Sequence, residues 1–157
     1  MTGEEVLRRW DELSPRERDV WVAEAVLGRK VVFVRALEGY DLRDAGALER
    51  AEPAFVEVPC FEEHGVTAYL TCMPDEAYML DLVPCYTTDA GAAWEIVERL
   101  REQFGGVRIE AGGAPGGPYR VAVGDWVAGG ATAAEAIAKA ALLAVCTGGR
   151  AEAGGGG

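Results

Sequence analysis

The segment that most constrains the fold is an alanine-rich stretch, residues 132–146, that carries almost no charge. Thr132 and Glu135 have the spacing of a capping box, which predicts that a helix begins there. Glu135 and Lys139, four residues apart, form its only charged stripe, and every other position up to Cys146 is apolar. Because a helix that is apolar on all sides must be covered, we expect it to pack closely on a sheet or on other helices.

Two further helices are predicted at the start of the chain. Thr2 and Glu5 have capping-box spacing, and apolar residues then recur at helical intervals, which predicts a short helix near residues 3–13. Residues 14–17, Ser-Pro-Arg-Glu, form a stronger helix start, with a capping hydroxyl, a proline at the first helical position and a glutamate at the third. This second helix ends at Gly28, and its apolar residues are distributed widely enough to predict burial on more than one side.

A third helix is predicted after residues 86–89, Tyr-Thr-Thr-Asp. Thr87 or Thr88 is available as the N-cap, and Asp89 complements the positive end of the helix. Gly105 and the glycine after it end the helix. Its apolar stripe consists of Ala93, Val97, Leu100 and Phe104. One face of the helix is therefore expected to pack on the core while the other faces water.

Short segments rich in β-branched and aromatic residues predict the strands. The apolar residues 31–34 follow the second helix directly and indicate a strand that is covered on both faces. Three more segments, separated by turn residues, predict a β-meander: 54–61, 66–72 and 78–83. Residues 107–110 predict a short extended piece, and residues 119–127 predict one continuous strand. The chain is therefore of the α/β class.

Length and composition fit one folded domain. The chain has 157 residues, half of them hydrophobic, so it can bury a core. We predict a single α/β domain over residues 1–147. Residues 148–157 are rich in glycine and gain too little on ordering to offset the lost entropy, so we predict a disordered tail.

The formal net charge of −11 argues against two classes of function. Non-specific nucleic-acid binding and polybasic membrane attachment both need clustered Lys and Arg. The sequence has no run of about 18 apolar residues, and residues 1–5 lack the basic start and apolar core of a signal peptide. We therefore expect a cytoplasmic protein that binds neither membranes nor nucleic acid non-specifically.

Four cysteines occur without a CxxC pair, at Cys60, Cys72, Cys85 and Cys146. In a reducing compartment such scattered thiols are usually small buried hydrophobes. The only histidine, His64, follows Cys60 by four residues, so a Cys3His zinc site that also uses Cys72 and Cys85 is possible by count. Structural zinc sites normally have two closely spaced ligand pairs, and this set has one. We predict buried thiols, no metal and no cofactor.

The chain lacks the motifs of common enzyme classes. GxSxG, HExxH and the P-loop are absent, and one histidine leaves little for acid-base chemistry at neutral pH. Residues 112–117 resemble a phosphate loop in glycine content but lack the following Lys and Ser/Thr, so we interpret them as a flexible loop. Asp75, Glu76 and Asp81 could supply paired carboxylates, but turn chemistry and solubility of a strand edge account for them. We predict no catalytic residues.

One ligand-binding hypothesis involves the start of the third helix. Tyr86, Thr87 and Thr88 place an aromatic ring and two hydroxyls beside a helix N-terminus, where backbone N–H groups can bind a phosphate. Trp94 would form one wall of an aromatic pocket. Arg120 or Arg99 would supply positive charge to offset Asp89, which by itself would repel a phosphate. The alternative interpretation is ordinary capping beside a packed tyrosine, with the tryptophan in the core.

Three stretches of the chain resemble one protein family: residues 13–31, 86–98 and 132–145. In the second stretch a tyrosine and a hydroxyl residue precede Thr-Asp, and the following helix contains Ala-Trp-Glu-Ile-Val-Glu. This pattern is similar to the phage ABA sandwich domain family, whose biochemical role is generally unassigned. The resemblance implies an α/β sandwich in which helices flank a mainly antiparallel sheet, and a phage or prophage origin. It supplies no catalytic residues. Residues 36–83 depart from the family as an enlarged insertion that contains the meander.

Two functional hypotheses follow. The first is a non-enzymatic accessory protein in the cytoplasm of a bacterial host, a counter-defence sponge that captures a nucleotide-derived signalling molecule. Its pocket would lie at a subunit interface, which would make the protein a homo-oligomer. The second is an interaction module that inhibits a host or phage protein through its acidic surface or through the extra meander.

Overall fold

The computed structural model describes four parts of the chain: residues 1–37, 55–62, 82–112 and 117–148. Their helices are α1 (Gly3–Glu12), α2 (Pro15–Ala25), α3 (Ala90–Phe104) and α4 (Ala133–Cys146). Their strands are β1 (Val31–Leu37), β2 (Phe55–Phe61), β3 (Val107–Ala111), β4 (Tyr119–Val123) and β5 (Trp126–Gly130). This mixture of helices and antiparallel strands confirms the predicted α/β class. None of the described helices has the length and apolar character needed to cross a bilayer.

The elements belong to two compact units. The first unit, Met1–Gly28 with Pro84–Gly157, holds the four helices and strands β3 to β5, and the second, Arg29–Val83, holds β1 and β2. The insertion predicted over residues 36–83 falls within the second unit. The predicted meander strand at 66–72 lies outside the described residues, as do most of the strand at 78–83 and of the tail at 148–157.

Helix α4 forms the centre of the first unit, as its alanine-rich sequence predicts. Nine of its residues are buried. Strands β4 and β5 pack on one side of it, and helices α1, α2 and α3 contact its other sides. A side chain at Gly130 of β5 would place a Cβ atom 2.7 Å from the backbone nitrogen of Ala136. Glycine in β5 and alanine in α4 therefore allow the sheet and the helix to approach closely.

Strands β3, β4 and β5 form an antiparallel sheet in that order. Val121, Val123 and Ala128 are buried on its inner face, which α4 covers. Between β4 and β5 the chain reverses at residues 124–125, where Gly124 has a left-handed φ of 56°. The single strand predicted over 119–127 is therefore wrong, because a two-residue turn with such a glycine makes a hairpin.

Both capping boxes predicted at the start of the chain are present. In α1, the Thr2 hydroxyl oxygen accepts from the Glu5 N–H at 3.1 Å, and a Glu5 carboxylate oxygen accepts from the Thr2 N–H at 2.7 Å. In α2, Ser14 and Glu17 make the same reciprocal bonds at 3.3 and 3.0 Å. The bonds from the backbone and hydroxyl of the cap residue hold the pKa of both glutamates below its usual value.

The start of α3 differs from the prediction. Asp89 is its N-cap, and Oδ1 of this residue accepts from the Gly91 N–H at 2.8 Å. Thr87 and Thr88 were the predicted caps. Thr87 lies two residues before the N-cap, and its buried hydroxyl donates to Asp19 of α2.

In the second unit, β1 and β2 pair antiparallel along their whole length. Cys60 of β2 also forms an antiparallel bridge to Leu82. The strand predicted at residues 31–34 is present and extends further. Phe33 exposes 46% of its surface, so the predicted cover on both faces does not extend to this side chain.

Candidate functional site

A buried carboxylate, Asp19 of α2, ties this helix to the segment that precedes α3. Asp19 exposes 1% of its surface. Its Oδ1 accepts hydrogen bonds from the Thr87 N–H at 2.9 Å and from the Thr87 hydroxyl at 2.7 Å. Its Oδ2 accepts from Nη1 of Arg16 at 2.9 Å. A buried carboxylate needs partners of this kind, so the Asp19 cluster (Arg16, Asp19 and Thr87) anchors the segment.

Arg16 also contacts two more groups of the segment that precedes α3. Its Nη1 donates to the carbonyl oxygen of Pro84 at 3.3 Å and lies 3.6 Å from Sγ of Cys85. The Arg16 side chain keeps 40% of its surface exposed. The guanidinium group therefore joins a buried carboxylate to the protein surface.

The structure separates the predicted ligand residues at the start of α3. Tyr86 is fully buried, and its hydroxyl donates to Oε2 of Glu95 at 3.2 Å. Thr87 is buried in the Asp19 cluster. Thr88 is exposed, and Trp94 exposes 55% of its surface, so Trp94 is not a core residue.

Two backbone N–H groups near the start of α3 already donate to protein carboxylates. The Thr87 N–H donates to Asp19, and the Gly91 N–H donates to Asp89. A phosphate at this helix end would meet two carboxylates, and like charges repel. The geometry favours the interpretation of capping beside a packed tyrosine.

Arg120 lies on the outer face of β4, on the side opposite the buried Val121 and Val123. It lines a shallow depression of about 150 Å³ on the three-stranded sheet. The depression, which we name the outer sheet site, is lined by Arg108 and Glu110 of β3, Arg120 and Ala122 of β4, and Val127 of β5.

Strand register sets the arrangement of the outer sheet site. Ala122 lies between Arg108 on one side and Val127 on the other, and Arg120 lies opposite Glu110. Arg108 and Arg120 are therefore diagonal neighbours, a spacing that long side chains can bridge. The methyl group of Ala122 leaves space between them, and Val127, 45% exposed, adds an apolar surface.

The charged groups of the outer sheet site are loosely paired. Nη1 of Arg108 lies 3.9 Å from Oε1 of Glu110, which is longer than a hydrogen bond, and both side chains are more than half exposed. Guanidinium groups present planar sets of donors that match phosphate and carboxylate oxygens. The site can therefore bind an anionic group that is attached to a partly apolar body.

Of the five lining residues, the sequence analysis named only Arg120, and it placed that residue at the start of α3 rather than on this sheet. Alternation along residues 107–110 and 119–123 places Arg108 with Glu110 and Arg120 with Ala122. The alternation shows which side chains share one face of each strand. It does not show the register that places these side chains of β3 and β4 next to one another.

The cysteines follow the prediction of buried thiols in part. Cys60 is buried, and burial raises the pKa of the Cys146 thiol. Cys85 is exposed, so the prediction is wrong there. His64 and Cys72 lie outside the described residues, so the absence of a zinc site at these residues stays a prediction. Among the residues that the structure describes, no group of three or more His, Cys, Asp or Glu side chains could hold a metal.

Comparisons with known proteins give a family and a fold. A phage protein from Bacillus cereus ATCC 14579, known from a 2.0 Å crystal structure, has a similar structure with a TM-score of 0.53. The two share 18% sequence identity, over 85% of this chain and 89% of that one, and the likeness shows the fold alone. No curated protein matches the sequence. The phage ABA sandwich domain matches residues 20–142, which is most of the chain. The chain therefore belongs to the phage ABA sandwich domain family.

Proposed function

We propose that this phage protein is a non-enzymatic binding protein that captures a nucleotide-derived signalling molecule and holds its phosphate group in the outer sheet site. The observation that carries the proposal is the convergence of Arg108 and Arg120 on one depression beside Val127. In the cytoplasm of an infected bacterium, such a protein would act as a counter-defence sponge.

The guanidinium pair supports a phosphate as the bound group. Hydrogen bonds between arginine and phosphate are charge-assisted and can be bidentate, which makes them stronger than neutral ones. The chain as a whole carries a net charge of −11, whereas Arg108 and Arg120 outnumber Glu110 in the site. A local excess of positive charge attracts an anion to this face at close range.

The size of the depression supports partial enclosure of the ligand. Pockets that bury drug-sized ligands have volumes of about 300 Å³ or more, and this one has about 150 Å³. It can enclose a phosphate and its neighbouring atoms. The remainder of the ligand would lie across Val127 or against a second subunit.

The composition of the site supports binding without turnover. Its lining consists of two guanidinium groups, one carboxylate and two aliphatic side chains. The lining contains no hydroxyl, thiol or amine nucleophile, and its one carboxylate, Glu110, has no second titratable group beside it in the lining other than the two arginines.

Isothermal titration calorimetry with adenosine 5′-monophosphate (AMP) and cyclic di-AMP tests the proposal. We expect saturable binding of at least one probe, and a loss of roughly tenfold or more in Arg108→Ala and Arg120→Ala, because each removes charge-assisted bonds. Ala122→Leu fills the depression and should abolish binding. Arg101→Ala is the matched control, since Arg101 lies 3.9 Å from Glu98 on the surface of α3. Absence of binding, or equal binding by all variants, would overturn the proposal.

Trp94→Ala separates the outer sheet site from the start of α3. Trp94 exposes 55% of its surface and is therefore accessible to a ligand. We expect this variant to bind the probes as the unchanged protein does. Loss of binding in Trp94→Ala together with normal binding in Arg120→Ala would move the site to α3.

A second candidate function is the interaction module that inhibits a host or phage protein. The observation that favours it is the exposure of two large apolar side chains in the second unit, Phe33 at 46% and Leu82 at 39%. Exposed apolar groups of this kind are typical of protein contacts when they are grouped. Affinity purification from infected cells should recover a partner that Phe33→Ser loses and Trp94→Ser retains. Recovery of the same proteins with both variants would exclude this contact.

A further inference from the structure

We infer that Glu110 is a specificity-determining residue of the outer sheet site, which selects a phosphate ester with a nearby hydroxyl or amino donor over an oxyanion that has no donor, such as sulfate. The inference rests on the proposed function of that site. It adds the chemical class that the site prefers.

Glu110 lies close to both arginines of the outer sheet site. Glu110 lies directly opposite Arg120 in the antiparallel pair of β3 and β4, and its Oε1 lies 3.9 Å from Nη1 of Arg108. All three side chains line the same depression. An anion held by the two arginines would therefore lie close to the Glu110 carboxylate.

The Glu110 carboxylate opposes the binding of an anion that has no donor. Two negative charges a few ångströms apart repel each other, and the repulsion offsets part of the attraction from the arginines. Sulfate at neutral pH is a dianion without a proton, so Glu110 repels it and sulfate cannot donate to the carboxylate in return.

A ligand with hydrogen-bond donors can be attracted by the Glu110 carboxylate. A carboxylate accepts several hydrogen bonds, and the 3.9 Å separation from Arg108 is too long to be one. A ribose hydroxyl or an exocyclic amino group next to the phosphate can donate to Glu110 while the phosphate binds the arginines. The carboxylate then contributes a charge-assisted bond. Sites built to bond a donor discriminate strongly against analogues that lack it.

The experiment compares three probes by calorimetry: sulfate, ribose 5-phosphate and AMP. The unchanged protein should bind both esters roughly tenfold or more tightly than sulfate, because one good hydrogen bond to a charged group contributes about that much. Glu110→Gln should reduce that preference by roughly tenfold, through tighter binding of sulfate and weaker binding of the esters. Glu98→Gln is the matched control, because Glu98 also lies 3.9 Å from an arginine on an exposed surface. It should leave the preference unchanged.

The outcomes separate this inference from the proposed function. If Arg108→Ala weakens ester binding but Glu110→Gln strengthens all three probes by the same factor, Glu110 only competes with anions and the inference fails. An unchanged protein that binds esters and sulfate equally also overturns it, while the proposed function stands. If no probe binds, or Arg108→Ala binds as the unchanged protein does, the proposed function fails as well. Matching circular dichroism spectra and melting temperatures show that the variants are folded.

Discussion

The Asp19 cluster and the outer sheet site contain the same chemical groups, arginine and carboxylate, in opposite states. Asp19 is 1% exposed and accepts three hydrogen bonds of 2.9 Å or less from Arg16 and Thr87. In the outer sheet site, Arg108 and Glu110 are 77% and 53% exposed and lie 3.9 Å apart. Charged groups that satisfy one another's hydrogen bonds stabilise the fold. Loosely paired charged groups remain available to a ligand. The first arrangement should therefore govern stability, and the second should govern binding.

The largest expected effect tests the stabilising half of this comparison. Asp19→Ala leaves the buried N–H of Thr87 without its acceptor, leaves the Thr87 hydroxyl only the longer bond of 3.3 Å to the Pro15 carbonyl oxygen, and separates Arg16 from its carboxylate. Removal of one partner from a buried pair costs about 3 kcal/mol or more, so we expect the free energy of unfolding to fall by that amount. Urea unfolding followed by far-UV circular dichroism measures it. Asp11→Ala, an exposed change on α1, should stay within about 0.5 kcal/mol. Equal stability of the two variants would show that Asp19 is not an anchor.

A smaller effect is expected for the donor side of the same cluster. Thr87→Val keeps the shape of the side chain and the backbone bond to Asp19 but removes the hydroxyl bond of 2.7 Å. We expect a loss of about 1.5 kcal/mol in the free energy of unfolding, typical of a hydrogen bond to a charged group. Thr88→Val changes the exposed neighbour and should lose less than about 0.5 kcal/mol. Combined with Asp19→Ala, the Thr87 change should cost less than it does alone, because its partner is already absent.

The outer sheet site should show the reverse behaviour. The double variant Arg108→Ala/Arg120→Ala removes both guanidinium groups, yet exposed ion pairs contribute little to stability. We expect its free energy of unfolding to stay within about 0.5 kcal/mol of the unchanged protein while ligand binding is lost. A stability loss comparable to that of Asp19→Ala would show that the outer sheet site stabilises the fold as the Asp19 cluster does.

The sequence predicted what depends on neighbouring residues. The caps at Thr2 and Ser14 need partners only three residues away, so both could be identified from spacing alone. The burial of α4 followed from the composition of one segment. Family resemblance predicted the α/β class, which the structure and the family match confirm.

What the sequence did not predict depends on distant pairing. Asp19 and Thr87 are 68 positions apart, so no local pattern predicts that Thr87 bonds to α2 rather than caps α3. The outer sheet site depends on the register between β3 and β4, and the glycine-rich residues 112–117 that follow β3 in the sequence carry no register signal. The hairpin of β4 and β5 was missed because apolar residues continue on both sides of Gly124. For the cap of α3, the register of β3 and β4, and the hairpin of β4 and β5, the local sequence pattern was compatible with two arrangements. Tertiary contacts selected one of them.

The smallest expected effect concerns Glu17, an exposed carboxylate two positions before the buried Asp19 on the same helix. Hydrogen bonds from the Ser14 backbone and hydroxyl hold the pKa of Glu17 below its usual value. A carboxyl whose pKa is depressed in the folded state contributes stability that is present above its unfolded-state pKa and is lost as pH falls through its folded-state pKa. Glu17→Gln keeps an acceptor in the capping box but cannot titrate, so its stability should fall less between about pH 5 and pH 3. Urea unfolding across that range measures the difference, with Glu24→Gln on α2 as the control for loss of one charge. If both variants lose stability with the same acid dependence, the cap bonds of Glu17 do not couple to folding. The Asp19 cluster would then be the main link between a carboxylate of α2 and the stability of the fold.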